Sequence, residues 1–202
     1  MKLGSMFSGY GGLDLAVHEV FDAETAWVAE FEPAPSKILA ERFPGVPNLG
    51  DVTAVDWAAL EPVDIIAGGS PCPDISVAGK RQGMTEGTRS NLWVAMREAI
   101  RIIRPEWVCW ENVLGALSAR ATSESDVEPG QGFVGDRPDG PSLRALGRVL
   151  GDLTALGYDA EWRVVRASDV GAPHQRARVF VLAHASGDGG EQRGTEPARV
   201  VW

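Results

Sequence analysis

The sequence predicts an α/β fold in which a mostly parallel sheet carries helices on both faces. Short apolar runs alternate with stretches of helical periodicity along the chain, and glycine-rich or polar turns follow several of the runs. This alternation is typical of strand–helix–strand units and therefore of a parallel sheet. Because such sheets bind ligands at the carboxyl ends of their strands, the residues that follow each predicted strand are the first candidates for function.

The predicted elements cover most of the chain. In one of them, Leu92, Met96, Ala99 and Ile103 recur at helical spacing and form one apolar face. The predicted strands span residues 3–7, 25–29, 63–67, 106–110, 160–165 and 179–183, and the predicted helices span residues 13–20, 34–43, 91–103 and 143–156.

One domain accounts for these elements. The chain has 202 residues, of which 44% are apolar, and this is enough for one sizeable core but marginal for two. We expect the domain to cover residues 1–185. Residues 118–141 are rich in Gly, Pro, Ser, Asp and Glu and are expected to form a flexible surface insertion, and residues 186–202 a polar tail.

Composition and charge narrow the possible functions. No apolar run approaches the roughly 20 residues of a membrane helix, and the N-terminus lacks the apolar core of a signal peptide, so we expect a cytoplasmic protein without a membrane partner. Two cysteines and three histidines form no metal-binding pattern, so no metal is expected. The net charge of −9 means that affinity for DNA would need a local basic patch, a partner or a further segment.

A glycine-rich turn, Phe-Ser-Gly-Tyr-Gly-Gly at residues 7–12, joins the first predicted strand to the first predicted helix. Glycines let the backbone turn tightly and approach a ligand, and the helix N-terminus adds N–H donors. The spacing is not that of the dinucleotide-binding fingerprint, and a plain tight turn explains this segment equally well. Glu30 ends the next strand, where a carboxylate can bind ribose hydroxyls or simply be solvated. Together they indicate a cofactor that contains a nucleoside.

Cys72 lies in a polar loop between two prolines, directly after a predicted strand. Lys80 and Arg81 follow in the same segment, and nearby positive charge with partial exposure is the usual setting of a reactive thiol. Most loop cysteines are not catalytic, so the pattern alone leaves both interpretations open. Cys109 lies within an apolar strand and is interpreted as a packing residue.

A carboxylate and two arginines complete the set of candidate residues. Glu111 follows a buried strand, so it is expected to face the same crevice as Cys72, although a helix N-terminal acid is the simpler interpretation. Arg176 and Arg178 alternate, so on an extended chain they would share one face. Such a pair can hold a phosphate, a carboxylate or a base carbonyl, or be solvated.

The order of these motifs resembles that of the DNA (cytosine-5-)-methyltransferases over about residues 1–185. The motifs are residues 7–12, Pro71-Cys72, Glu111-Asn112-Val113 and Gln175-Arg176-Ala177-Arg178. The resemblance implies a Rossmann-like fold that depends on S-adenosylmethionine. It also implies methyl transfer to C5 of cytosine in double-stranded DNA through a covalent Cys72 adduct.

The resemblance assigns roles to individual residues. Cys72 matches the nucleophile, Glu111 the acid that holds the N3 edge of cytosine, and Arg176 and Arg178 the arginines around the target base. Glu30 matches the acid that binds the ribose. The full cofactor-binding set is Phe7, Ser8, Gly9, Tyr10, Gly11, Gly12, Glu30, Phe31, Asp51, Val52 and Pro71.

The chain also departs from the family pattern. Pro73 and His174 stand where the family usually has glutamine, and no target-recognition region follows Arg178. A later motif that folds back against the cofactor site is not found either. We therefore expect a truncated or split methyltransferase that a complementing chain would complete. The alternatives are a remnant that binds S-adenosylmethionine or a partner without methylating, and an RNA cytosine-5 methyltransferase.

Overall fold

The computed structural model describes residues 1–71, 92–118, 120–121 and 143–187. Within these residues, four α-helices surround a six-stranded sheet, and a two-stranded ladder lies beside it. The helices are α1 (Gly12–Phe21), α2 (Pro33–Arg42), α3 (Trp93–Ile103) and α4 (Ala145–Ala155). The strands are β1 (Lys2–Met6), β2 (Glu24–Ala29), β3 (Ile65–Gly68), β4 (Trp107–Val113), β5 (Arg120–Ala121), β6 (Leu143–Arg144), β7 (Tyr158–Val165) and β8 (Arg178–Ala185).

The large sheet has the strand order β2-β1-β3-β4-β8-β7. Strand β1 runs parallel to β2 and β3, and β3 runs parallel to β4. Strand β8 is antiparallel to both of its neighbours, β4 and β7. The mostly parallel sheet is thus confirmed, and the inserted β8 is a feature that the sequence pattern did not predict.

Helices cover both faces of the sheet, as expected. On one face, Leu3 of β1 and Ile65 of β3 pack with Val17 of α1 in a small core. On the other face, Met6, Ile66 and Val108 belong to a larger core, which also contains buried residues of α3 and α4. Alternate residues of each central strand therefore contribute to different cores, as the period of two in a strand requires.

Local sequence explains where several elements begin and pack. Helix α2 begins at Pro33, whose fixed φ and missing N–H suit the first helical turn. Gly4 in β1 leaves room for the indole of Trp27 on the neighbouring strand, because a Cβ at this position would lie 2.1 Å from a ring atom. The close approach of Trp27 to the β1 backbone therefore requires glycine.

The observed boundaries correct the predicted ones at two places near the site. Strand β4 continues to Val113, so Glu111 belongs to the strand and does not follow it. Helix α3 begins at Trp93 instead of residue 91. Most of the predicted insertion at 118–141 and of the tail at 186–202 lies outside the described residues. Among the helices described, none has the length and apolarity needed to cross a membrane.

Candidate functional site

The carboxyl ends of the parallel strands bring most of the predicted site residues to one edge of the sheet, which we call the carboxyl edge. The chain turns after β1, β2 and β3 at this edge, and β4 ends there. Because β8 is antiparallel, its first residue, Arg178, lies opposite Val113 at the same edge. The predicted residues at this edge are Phe7–Gly12, Glu30, Phe31, Pro71, Glu111 and Arg178.

The glycine turn leaves β1 through unusual backbone conformations. Phe7, Gly9 and Gly11 have φ values of 53°, 54° and 75°, in the left-handed region that glycine adopts most easily. The Phe7 N–H donates to the Ala29 carbonyl at 2.9 Å, which extends the pairing of β1 with β2 into the turn. A side chain at Gly11 would also meet the Phe43 ring at 2.8 Å. The tight turn predicted from the glycines is therefore present.

Glu30 is the acceptor that holds this turn. Its Oε2 accepts from the Gly9 N–H at 2.8 Å, and its Oε1 accepts from the Glu32 N–H at 2.8 Å. The Glu30 residue is only 9% exposed, whereas the neighbouring Phe31 is 70% exposed and Tyr10 is 61% exposed. A buried carboxylate that two backbone N–H groups orient therefore precedes an exposed aromatic residue in the chain, and both kinds of group are able to bind a nucleoside.

Asp14 is a buried carboxyl group beside this turn that the sequence interpretation missed. The residue is 1% exposed, and its Oδ1 has no hydrogen-bond partner among the described residues. Burial raises the pKa of Asp14, and a hydrogen bond from Ser5 opposes the rise. The Ser5 and Ser8 hydroxyls lie 2.7 Å apart, so Ser5 connects Asp14 to the turn. The sequence carried one signal, because Asp14 and the core residue Val17 are three positions apart on α1.

Asp51 and Val52 occupy the loop after the short contact of Val28 with Asn48. Asp51 is exposed, and its Oδ1 accepts from the Thr53 N–H at 2.9 Å and from the Thr53 hydroxyl at 2.8 Å. These hydrogen bonds lower the pKa of Asp51. Val52 is 5% exposed and packs in the larger core.

The segment after β3 leads toward Cys72 in the sequence. Gly69 and the buried Ser70 are followed by Pro71, which is exposed. Cys72 lies outside the described residues, as does the rest of the predicted loop up to residue 91. The Ser70 hydroxyl accepts from the Trp110 indole at 3.1 Å, and the Asn112 side-chain amide donates to the Ser70 carbonyl at 3.3 Å.

Glu111 and Arg178 form an ion pair across the β4–β8 ladder. The Arg178 Nε donates to the Glu111 Oε1 at 2.9 Å, and both side chains remain partly exposed. Burial raises the pKa of the Glu111 carboxyl, and the charges of Arg178 and Arg176 oppose the rise. A Cβ on Gly69 would lie 2.8 Å from the Glu111 Oε2, so glycine at this position leaves space for the carboxylate.

The expectation that Arg176 and Arg178 share one face of an extended chain was wrong. Arg178 is the first residue of β8, whereas Arg176 has a φ of 31° in the turn before it. The chain returns here from the short helix at Ala167–Val170, and the Gln175 carbonyl accepts from the Ala167 N–H at 2.7 Å. Closing this turn takes Arg176 out of extended geometry. The two arginines still act on the same carboxylate, Glu111.

Cys109 has the properties of a packing residue. It lies in the middle of β4, and burial raises the pKa of its thiol to about 12, with the charge of Glu111 contributing. A thiol with this pKa carries almost no thiolate at neutral pH and is a poor nucleophile. In the part of the chain that the structure describes, no three His, Cys, Asp or Glu residues cluster as metal ligands would.

The sequence of this chain matches one known protein family over nearly its whole length. The family described as C-5 cytosine-specific DNA methylase matches residues 1–198. This chain belongs to that family. The family resemblance predicted from the four motifs is thereby confirmed.

Several curated relatives of the methylase domain are similar over nearly its full length. It is 32% identical to type II methyltransferase M2.BsuMI of Bacillus subtilis over 91% of this chain and 42% of that protein. It is 31% identical to a phage P1 protein named DNA N-6-adenine-methyltransferase, over 98% of this chain and 30% of that protein. Against M.AquIA of Picosynechococcus, it is 29% identical over 92% of this chain and 73% of that protein. The chain spans 30% to 47% of the first five relatives.

Solved structures share the fold of the methylase domain. An E. coli prophage DNA modification methyltransferase superposes with a TM-score of 0.64 and 22% identity, over 92% of this chain and 47% of that chain. The S. pombe Dnmt2 methyltransferase superposes with a TM-score of 0.66 and 16% identity, over 95% and 51% of the two chains. These likenesses confirm the α/β methyltransferase fold.

Proposed function

We propose that this chain transfers a methyl group from S-adenosylmethionine to C5 of cytosine in double-stranded DNA through a covalent adduct with Cys72. The observation that carries the proposal is the Glu111–Arg178 pair. It lies at the carboxyl edge, next to the segment that leads through Pro71 to Cys72. A proton donor, a cation and a cysteine thiolate are the groups that addition to a cytosine ring needs.

Methylation at C5 of cytosine needs a nucleophile such as a cysteine thiolate, because C5 itself reacts poorly. C5 of cytosine is a weak nucleophile, whereas addition of a thiolate to C6 makes C5 electron-rich. When bound, S-adenosylmethionine supplies an electrophilic methyl group. Loss of the C5 proton then restores the C5–C6 double bond as the Cys72 sulfur leaves C6. The target base has to leave the helical stack for this, which costs a few kcal/mol.

Glu111 is the proposed proton donor to N3 of the ring. Its raised pKa keeps a larger fraction of the carboxyl protonated near neutral pH than for an exposed glutamate. Donation to N3 withdraws electrons from the ring while the thiolate adds to C6. Arg178 and Arg176 lower the same pKa, so together these groups determine how readily the proton is given up.

Arg178 is proposed to stabilise the charge that develops on O2 of the base. In the structure, its Nε donates to Glu111, and an Nη donates to the carbonyl of Ala177 at 2.9 Å. A guanidinium has five N–H donors, so these two bonds leave others for the base. Arg176, in the adjoining turn, is proposed to assist Arg178.

The glycine-turn residues fit the proposed cofactor. The buried Glu30 carboxylate is already oriented by two backbone N–H groups, and each of its oxygens can accept a further bond from a ribose hydroxyl. The exposed Phe31 and the Val52 region would contact the adenine, with Asp51 beside it. Residues 7–12 would hold the methionine part, and Pro71 would border the reacting end.

The proposed partner is double-stranded DNA. With a net charge of −9, a complementing chain or segment that carries a target-recognition region would supply further DNA contacts. We retain residues 1–185 as the catalytic domain and the cytoplasm as the site of action. The alternative is a remnant that binds S-adenosylmethionine or a partner but does not methylate alone.

Adenine N6 methylation is a second candidate, favoured by the likeness to the phage P1 protein described as a DNA N-6-adenine-methyltransferase. The chain matches 30% of that protein, so the named activity belongs to a protein more than three times as long as the match. An exocyclic amine can attack a methyl donor directly and does not require a cysteine adduct. Dependence of methylation on Cys72 therefore separates the two candidates.

The test is covalent trapping on duplex DNA that contains 5-fluorocytosine. The fluorine at C5 prevents the final elimination, so an adduct formed by Cys72 persists and is seen as a band shift under denaturing conditions. We expect Cys72→Ser to abolish trapping and Cys109→Ser to retain it. Trapping by Cys72→Ser at the wild-type level would exclude Cys72 as the nucleophile.

Calorimetry with S-adenosylmethionine distinguishes the remnant from the enzyme. A wild-type chain that binds the cofactor without forming an adduct supports the remnant. Adduct formation by the wild-type chain supports the proposed reaction.

A further inference from the structure

The loop after α2 runs alongside β2 at the edge of the sheet, and Asn48 lies in this loop. Strand β2 is the first strand in the sheet order, and a short parallel contact joins Val28 to Asn48 on its outer side. There the Val28 N–H donates to the Pro47 carbonyl at 3.0 Å, and the Leu49 N–H donates to the Val28 carbonyl at 2.8 Å. The next hydrogen-bonding position along β2 belongs to Glu30, the proposed ligand of the ribose.

A side chain takes over this pairing where the backbone of the loop turns away. Gly50 has a φ of 72°, in the left-handed region that glycine adopts most easily. The Asn48 Oδ1 accepts from the Glu30 N–H at 3.0 Å, and the Asn48 Nδ2 donates to the Glu30 carbonyl at 3.1 Å. A carboxamide has the same kinds of donor and acceptor as a peptide group, so the Asn48 side chain extends the pairing of β2 to Glu30.

The Asn48 amide makes two further hydrogen bonds. Its Oδ1 also accepts from the Gly50 N–H at 3.0 Å, and its Nδ2 also donates to the Ser36 hydroxyl of α2 at 3.1 Å. The Ser36 hydroxyl in turn donates to the Glu32 carbonyl at 2.7 Å. Both lone pairs and both N–H groups of the amide are therefore used. The amide connects the Glu30 backbone to the loop at Gly50 and to α2.

We propose that Asn48 is a positioning residue for the cofactor, which fixes the Glu30 backbone so that the carboxylate is directed at the ribose hydroxyls of S-adenosylmethionine. The inference rests on the function proposed above. The Asn48 amide holds the Glu30 backbone, while the Glu30 carboxylate accepts from the N–H groups of Gly9 and Glu32. The side chain is therefore ordered before a ligand arrives, and a group that is ordered in advance loses less entropy on binding.

Calorimetry with two ligands isolates the effect on Glu30. The ligands are S-adenosylhomocysteine and an analogue of it that lacks both ribose hydroxyls. We expect the wild-type chain to prefer the first ligand by about tenfold or more, and Asn48→Ala to reduce this preference to about twofold, because a misplaced carboxylate accepts poorly. Affinity lost equally for both ligands, for example through displacement of the loop at Gly50, does not change the preference. In a Glu30→Ala background, Asn48→Ala should have no further effect on the preference.

Asp56→Ala is the matched control. Asp56 lies in the same connection between β2 and β3, and its Oδ1 accepts from the Ala58 N–H at 3.2 Å. The change therefore removes the same kind of bond, from a side chain to the backbone, without involving Glu30. Asn48 is exposed, so Asn48→Ala removes little packing, and both variants should melt close to the wild-type temperature. We expect Asp56→Ala to keep the wild-type preference for the ribose hydroxyls.

Hydrogen–deuterium exchange in the ligand-free chain gives a second readout. We expect Asn48→Ala to speed exchange of the Glu30 and Gly50 amides, and Asp56→Ala to leave both unchanged. Unchanged exchange at Glu30 in Asn48→Ala, or an unchanged preference for the ribose hydroxyls, would overturn the inference while leaving the proposed function intact. If the wild-type chain binds neither ligand, the proposed function fails and the inference falls with it. Equal binding of both ligands by the wild type would refute the contact between Glu30 and the ribose, and the inference too.

Discussion

The two sides of the carboxyl edge are held in place by different means. On the glycine-turn side, the Glu30 carboxylate accepts hydrogen bonds from the backbone N–H groups of Gly9 and Glu32. On the ion-pair side, Glu111 faces the side chain of Arg178 across antiparallel strands. The first side is built from residues of the two adjacent strand ends after β1 and β2, with backbone donors that cannot rotate away. The second depends on a late strand and on two charges that can rearrange when a ligand arrives.

This difference assigns different tasks to the two sides. Fixed backbone donors suit a cofactor that binds in the same way at every turnover. A partly exposed ion pair suits a site in which the charges must be shared with an incoming base. With the proposed function, substitutions on the glycine-turn side should change folding or cofactor affinity, and those on the ion-pair side should change the rate of adduct formation.

The largest effect is expected from Gly4→Ala, beneath the glycine turn. The new Cβ would lie 2.1 Å from the Trp27 ring, and Trp27 is enclosed in the core. We expect the free energy of unfolding to fall by about 3 kcal/mol, measured by chemical denaturation. Gly151→Ala is the control, because nothing lies within 4 Å of its Cβ and alanine favours the α4 helix by about 1 kcal/mol. Equal effects of the two changes would refute the close contact.

Gly69→Ala should affect rate more than stability. The new Cβ would lie 2.8 Å from the Glu111 Oε2, which is the end of a side chain that can move aside. Adduct formation on 5-fluorocytosine DNA should slow by up to about 100-fold because the carboxyl is displaced. Unfolding and S-adenosylmethionine affinity should hardly change. A stability loss like that of Gly4→Ala would show that the Glu111 side chain cannot move aside and that the ion-pair side is as rigid as the glycine-turn side.

Glu30→Ala should weaken cofactor binding. It removes the acceptor for proposed ribose hydroxyls and for the Gly9 N–H, so S-adenosylmethionine binding should weaken by roughly 1–3 kcal/mol in calorimetry. Glu32→Ala serves as the control, because Glu32 contributes only its backbone N–H to the Glu30 carboxylate. If affinity is unchanged in Glu30→Ala, Glu30 orders the turn but does not bind the cofactor.

The smallest effect is expected from Asp14→Asn and depends on pH. Burial raises the folded-state pKa of Asp14, so the folded protein binds this proton more tightly than the unfolded chain. The stability that this adds is present at low pH and is lost as the pH rises through the folded-state pKa. His18 and Arg42 are the charged groups that oppose the rise. The stability of Asp14→Asn relative to the wild type should therefore increase as the pH rises above the ordinary pKa of an aspartate and through the raised pKa of the folded protein. A difference independent of pH would mean that Asp14 does not titrate differently on folding.

The sequence predicted the strands and the edge where most candidate residues lie because both depend on local patterns. A few residues of sequence are enough to predict an apolar strand such as β3 or the glycine turn after β1. The family likeness followed from the order of these motifs. The sequence did not predict that β8 is antiparallel, because an apolar run does not indicate the direction of a strand. The placement of β8 between β4 and β7 depends on the whole sheet.

The same limit applies to single residues of the site. Glu111 and Arg178 were both candidates, but their ion pair requires the β4–β8 register. Asp14 looked like an ordinary helix residue, and its burial follows from how α1 packs on β1 and β3. Ser70, just after β3, accepts a hydrogen bond from Trp110 of the neighbouring strand β4, and no spacing in the sequence predicts this contact. The roles of the predicted site residues, Cys72 above all, remain predictions.

The start of β1 at the edge opposite the candidate residues has a practical consequence for surface-based assays. Strand β1 starts at the edge opposite the site, and β8 ends there, where the Ala185 N–H donates to the Glu106 carbonyl at 2.9 Å. Strands β1, β3, β4 and β8 are consecutive neighbours in the sheet. The start of β1 and the end of β8 are therefore separated by three strand spacings, about 14 Å. A biotin coupled to the Met1 amine would therefore hold the protein on a sensor chip with Glu30 and Glu111 facing the flowing solution.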